Sequence, residues 1–253
     1  MSRDTTRQFV NLFAVLAALT VNILSNALPL NGLNTGQISD LFDVYFVPAG
    51  YVFSIWGLIY IGWIAFLIWQ FRPVNRTSPR MRALGYWFAL SCIFNAAWLF
   101  CWHYQQFGLS VIVMLALLFT LILSYVRLNV GRVRVGTAER WSVDIPFGVY
   151  LGWVSVATIA NITSFLDFIN WNGWGVDAQV WTVITLAVAS VLGWLMARLR
   201  RDAAFLFVFV WAFSGIAIRH SATALVANAS WVAAGLALAL AVLSMLRRQR
   251  SAA

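Results

Sequence analysis

The chain contains no lysine, and only eight of its 253 residues are acidic. Charged residues make up 10% of it, where a soluble domain carries about 25%. So few charges cannot coat a water-facing surface, which excludes an ordinary soluble domain and a charge-rich disordered chain. Cysteine is scarce too. Cys92 and Cys101 lie nine residues apart in one apolar run, about 13 Å along a helix and too far to bridge, so a disulfide scaffold is excluded. No Walker loop, HExxH or GxSxG occurs, so catalytic sites of the soluble type have no support. The apolar runs hold no Asp, Glu, Lys, Arg or His in their interiors. Ionisable groups inside a bilayer mark ion paths and proton relays. Their absence argues against an ion-coupled transporter, a proton pump or a channel for charged ions.

What is present is apolar: 62% hydrophobic and 16% aromatic residues, with a mean hydropathy of +0.82. A helix needs roughly 20 mostly apolar residues to cross a bilayer. Eight stretches qualify, at 8–28, 48–70, 83–102, 108–126, 145–166, 178–197, 203–218 and 222–246. The seventh is the shortest, reaching about 24 Å. Continuous apolar runs exclude barrel strands, which alternate over about ten residues. The first run lacks a small-x-small cleavage site before Leu30 and reads as a mature helix, not a signal peptide. The predicted fold is therefore all-α and polytopic.

All seventeen basic residues are arginine. Arg3 and Arg7 precede the first span. Arg72, Arg76, Arg80 and Arg82 follow the second; Arg127, Arg132, Arg134 and Arg140 follow the fourth; Arg198, Arg200 and Arg201 follow the sixth; Arg247, Arg248 and Arg250 close the chain. Sixteen fall on one side and only Arg219 on the other. The positive-inside rule then places both termini in the cytoplasm, with a bacterial inner membrane as the expected setting. The net charge of +9 is a topology signal with affinity for anionic membrane lipid, and not a nucleic-acid patch.

Amides stand inside the spans: Asn22 and Asn26 on the first, Asn95 on the third, Asn161 on the fifth and Asn228 on the eighth. In lipid such groups turn inward, either bonding helices together or contacting a ligand. Of fourteen tryptophans, Trp69, Trp102, Trp141, Trp171, Trp174 and Trp181 fall near span ends and read as an interfacial belt. Trp56, Trp98, Trp153 and Trp211 are deeper. Trp56, Tyr60 and Trp63 share one helical face, as do Trp153, Ala157 and Asn161. Aromatic, small and amide groups on one face suit packing or a flat apolar pocket with few polar anchors. The segment 37–47 between the first two spans reads as a short interfacial helix or a lid. His103 and His220 fall at the outer face, as interfacial side chains or as axial ligands to haem.

Three of these stretches resemble one family, the tryptophan-rich sensory proteins (TspO/MBR), which include the mitochondrial translocator protein. They are VPAGYVFSIWGLIY at 47–60, Asn95-Ala-Ala-Trp98, and YLGWVSVATIAN at 150–161. They occur in the family's order on the second, third and fifth spans. The likeness covers residues 8–168; spans six to eight have no counterpart in it. The family's proline pair is Pro48-Ala49 here, and its cholesterol-recognition pattern is missing. The resemblance implies a five-helix bundle binding hydrophobic or tetrapyrrole ligands such as protoporphyrin IX, often as a homodimer. Carried over by position, Trp56, Tyr60, Asn95, Trp98, Trp153 and Ala157 would line the pocket, and 37–47 would cover it. Asn161 joins this set from its helical face.

The resulting expectation is a TspO-like bundle at 1–175 followed by three further helices at 176–253. Its function would be binding or sensing a flat hydrophobic ligand, with transport as an extension and no catalytic residue in view. A permease for an uncharged solute and a membrane scaffold subunit are the other two readings.

Overall fold

A computed structural model describes residues 2–28 and 30–250. The side chains of Arg248 and Arg250, two of the basic residues closing the last span, lie outside the described residues. Each apolar stretch forms a helix: α1 (Arg3–Ala27), α2 (Ile55–Phe71), α3 (Trp87–His103), α4 (Phe107–Arg127), α5 (Ile145–Phe168), α6 (Ala178–Leu199), α7 (Ala203–Arg219) and α8 (Ala224–Arg250). No strand occurs among the described residues. Six of the eight, α2 and α5 counted with the turns that lead into them, are long and apolar enough to cross a membrane. The other two, α3 and α7, have 17 residues each, about 25 Å of rise.

The third span starts later than its hydropathy suggests. Pro79–Leu84 forms a separate short helix that stops at Gly85, whose φ is +59°. A side chain there would be strained, so the chain turns and α3 begins at Trp87. Before α5 the turn Arg140–Asp144 is π-helical, a looser winding that occurs as single turns. Pro146 follows inside the same helical run, where its missing N–H breaks the regular bonding, as prolines do within helices.

The first five helices close a ring: α1 packs on α2 and α3, α3 on α4, α4 on α5, and α5 on α2. The apolar part of α5 is 67% buried, against 28–39% for the other long spans, so α5 is the central helix. Small residues let its neighbours approach. A Cβ on Gly62 of α2 would sit 2.9 Å from Pro146 Cβ of α5. On its other side α5 meets α7, which in turn carries α8, and α6 packs on α8 and α7. The last three helices thus dock on the bundle through α7.

Polar contacts pin this arrangement at the arginine-rich end. Arg80 bridges Glu139 and Asp144 (2.7 Å to the latter), and Arg82 pairs with Asp4 at 2.6 Å. Asp202 accepts the Tyr125 hydroxyl of α4 at 2.7 Å and caps α7 by accepting from the Ala204 and Phe205 N–H groups. A ladder of amides joins α1 to α2: Gln8 donates to the Gln70 carbonyl, Asn11 donates to Gln70 Oε1 at 3.0 Å, and Gln70 returns a bond to the Gln8 carbonyl at 3.2 Å. Hydropathy passed over this ladder because it sits where the apolar runs begin and end. Asn26 and Asn228 do not turn inward as expected; both are exposed, at the end of α1 and the start of α8.

Candidate functional site

The connection from α1 to α2 folds over the bundle at the end away from the arginine clusters. Asn34 accepts from the Gln37 N–H and the Gln37 side chain accepts from the Asn34 N–H, both at 2.9 Å. This capping box starts a helix at Thr35–Ser39, so the expected helix over 37–47 is shorter and earlier in the chain. Beyond it, Phe42, Phe46 and Val47 bury themselves, and a 3-10 turn at Gly50–Ser54 leads into α2.

Beneath this lid lies a cavity of about 40 Å³. The bundle contributes Trp56, Trp98, Trp102, Trp153, Ala157 and Asn161; the lid contributes Thr35, Ser39, Pro48 and Phe53. Five of the seven residues expected at a pocket therefore line one cavity. Tyr60 and Asn95 do not. They belong to a neighbouring network in which Tyr60 donates to Asn22 Oδ1 at 2.8 Å and Asn22 donates to Asn95 Oδ1 at 2.7 Å.

The wall is mostly aromatic and largely pre-set. Asn161 accepts from Trp98 Nε1 at 3.0 Å and donates to Ser110 Oγ at 2.8 Å, so this amide orients an indole and ties α5 to α3 and α4. Trp56 stacks on Tyr60 with ring centres 5.9 Å apart and meets the edge of Trp153 at 6.4 Å. Trp153 departs from this pattern, as do Trp63 Nε1 and the Tyr150 hydroxyl elsewhere in the core. The Trp153 Nε1 is buried in the cavity wall without a hydrogen-bond partner, as is Asn95 Nδ2 in the adjoining network. Buried donors are seldom left unpaired.

Trp102, read from its position as a belt residue, is buried at 4% exposure and donates to the Thr35 carbonyl at 3.2 Å. Its spacing of four from Trp98 puts both on one face, a signal that the belt reading overrode. Trp211 does not reach the cavity; its Nε1 holds the Val52 carbonyl at 3.0 Å. Trp63 packs against Tyr150 and Phe88.

Two clasps hold the lid. On the α3 side, His103 Nδ1 lies 3.1 Å from the Leu30 carbonyl and Nε2 lies 3.1 Å from Thr35 Oγ1. A carbonyl only accepts, so in the neutral ring Nδ1 carries the proton and Nε2 takes the Thr35 hydroxyl. Both nitrogens are used, which leaves neither for haem. On the α7 side, Arg219 pairs with Asp40 at 2.5 Å, Gly215 accepts from the Ala49 N–H at 3.1 Å, and His220 meets the Tyr45 ring at 5.2 Å. Burial first, and the Arg219 charge second, hold His220 below the ordinary imidazole range. Among the described residues no three His, Cys, Asp or Glu side chains gather as a metal site.

A family model described as "TSPO-like protein" matches residues 8–243. The chain belongs to this TSPO-like family. The match runs past residue 168, where the resemblance read from motifs stopped, and takes in α6, α7 and most of α8. No curated protein and no solved structure matches the chain significantly. Family and apolar helices together make this TSPO-like protein an integral, multi-pass membrane protein of the TspO kind.

Proposed function

We propose that this TSPO-like protein binds a flat hydrophobic ligand, a tetrapyrrole such as protoporphyrin IX or another small apolar molecule, in the cavity under the lid. The observation that carries the reading is Trp153: an unpaired indole N–H in a wall shared with three other tryptophans. Such a wall offers ring faces for stacking and one donor for orientation. Trp56, Trp98, Ala157 and Asn161 form the contact surface, while Tyr60 and Asn95 support it from behind. Ligand-sized sites occupy about 300–1,000 Å³, so 40 Å³ corresponds to a closed form. A ring system enters only when the lid lifts and the indoles turn. Residues 1–175 then act as the ligand bundle and 176–253 as the helices that hold its lid. The protein sits with both termini in the cytoplasm of a bacterial cell, and any transport follows from loading and release at this cavity.

The test is a protoporphyrin IX titration of the purified protein, following tryptophan fluorescence, beside a Trp153→Phe/Asn95→Ala variant. The reading expects saturable quenching that the variant loses. Absent saturation, or equal quenching in both proteins, would leave a bundle without this ligand and turn attention to solute flux in liposomes.

A further inference from the structure

What the cavity under the lid selects follows from which of its polar atoms are already spent. Asn161 uses its amide on Trp98 Nε1 and Ser110 Oγ. Trp102 Nε1 holds the Thr35 carbonyl, and the Thr35 hydroxyl meets His103 Nε2. Trp153 is 3% exposed, and its Nε1 is left buried and unpartnered. Trp63 Nε1 and the Tyr150 hydroxyl are unpartnered too, but neither residue lines the cavity. An indole N–H only donates, so a group that satisfies Trp153 must accept.

Charge then narrows the acceptor. No residue lining the cavity is charged. The basic groups that clasp the lid are engaged: His103 through both ring nitrogens, and Arg219 with Asp40 and the Pro48 carbonyl. Around them the lid end of the molecule is acidic. Asp40, Asp43, Asp167 and Asp177 stand there with one arginine, Arg219, while the other sixteen arginines belong to the opposite end. Asp43 and Asp167 are exposed. Asp43 belongs to the lid connection, and Asp167 lies three residues beyond Ser164, which lines the cavity. A carboxylate arriving here meets like charges at the lid and, inside, a wall with no cation to pair with. A buried charge without a partner is heavily penalised. A neutral acceptor, such as the carbonyl of an ester, ketone or amide, avoids that penalty and gains a hydrogen bond.

We infer that the lid cavity selects uncharged apolar rings carrying a carbonyl-type acceptor, met by Trp153 Nε1, and discriminates against rings carrying carboxylates. The inference rests on the reading that this cavity binds a flat ligand, and it names the class: among tetrapyrroles, the esterified or otherwise neutral form over the free acid.

Three porphyrins separate the possibilities: protoporphyrin IX with its two carboxylates, its dimethyl ester with carbonyl acceptors and no charge, and etioporphyrin, whose side groups are all alkyl. Each is titrated by tryptophan quenching against the full-length protein in nanodiscs, with its partition measured in empty nanodiscs. The ester should bind about tenfold or more tighter than the free acid. It should also exceed etioporphyrin by about two- to tenfold, the worth of one neutral hydrogen bond. Trp153→Phe, which keeps an aromatic ring but no donor, should cancel the advantage over etioporphyrin. A free acid as tight as the ester, an ester no tighter than etioporphyrin, or an ester advantage that survives Trp153→Phe would overturn the inference and leave the cavity as a ligand site. Saturation by none of the three would overturn that reading itself, and the inference with it.

Discussion

Filling the cavity under the lid separates a ligand site from a packing defect, because the two respond with opposite signs. A void in a protein interior costs about 24 cal/mol per Å³. For 40 Å³ the total is about 1 kcal/mol. Ala157 lines this void, and Ala157→Val places two further methyl groups in it. The variant should gain up to about 1 kcal/mol of stability, which for a chain of this size raises Tm by about 2–4 °C. It should also lose affinity for protoporphyrin IX by about tenfold or more, since a methyl group where a ring must lie acts as overpacking worth about 1–3 kcal/mol. Thermal unfolding in detergent and the fluorescence titration read both effects on one preparation. A lower Tm together with unimpaired binding would refute the reasoning. The void would then be closed in solution and the ligand elsewhere.

The lid clasps give further expectations. Arg219→Gln or Asp40→Asn removes an ion pair whose Asp40 side is 54% exposed, so stability should drop by less than about 1 kcal/mol while stopped-flow ligand association becomes faster. Gly215→Ala is predicted to be worse for stability, because its Cβ would lie 2.2 Å from Val52 Cγ2 and 3.2 Å from Pro48 Cβ; overpacking of this kind costs about 1–3 kcal/mol and should appear as a lower Tm. His220 gives a pH signature. Its folded-state value lies below the unfolded one because burial and Arg219 disfavour the charged ring, against a weaker opposing pull from the Val47 backbone and Asp43. Its contribution is therefore complete above the unfolded value of about 6.5 and is lost as pH falls through the lower folded value. A Tm profile should decline over that window, and His220→Gln should flatten the decline.

The number and order of the helices were legible because hydropathy and arginine placement act on whole segments. Neighbour relations were not. In a bilayer both the lipid-facing and the protein-facing sides of a helix are apolar, so hydrophobic periodicity cannot say which face turns inward. Trp102 shows the cost: position near a span end suggested a belt, yet the residue is buried beside Trp98. Asn228 erred the other way, an amide assumed to be inside and found exposed. Where a face carried several polar or aromatic groups at helical spacing, as on α5, the reading placed Trp153, Ala157 and Asn161 around one cavity. The clasps involve residues up to 179 positions apart, such as Arg219 and Asp40, and no local pattern announces such a pair.

The position of α7 links these observations. Its C-terminal end holds the lid through Gly215, Arg219 and the following His220, and its N-terminal half forms one wall of a groove lined also by Leu58 and Val149. Packing cores are bistable more than they are elastic, so a shift of α7 that widened the groove would also strain the Ala49 and Val52 bonds to the lid. Whatever holds α7 in place therefore favours the closed lid. Gly215→Ala, whose Cβ would press on Val52, should speed protoporphyrin association as well as lower Tm. A lower Tm with unchanged association would show that α7 does not hold the lid.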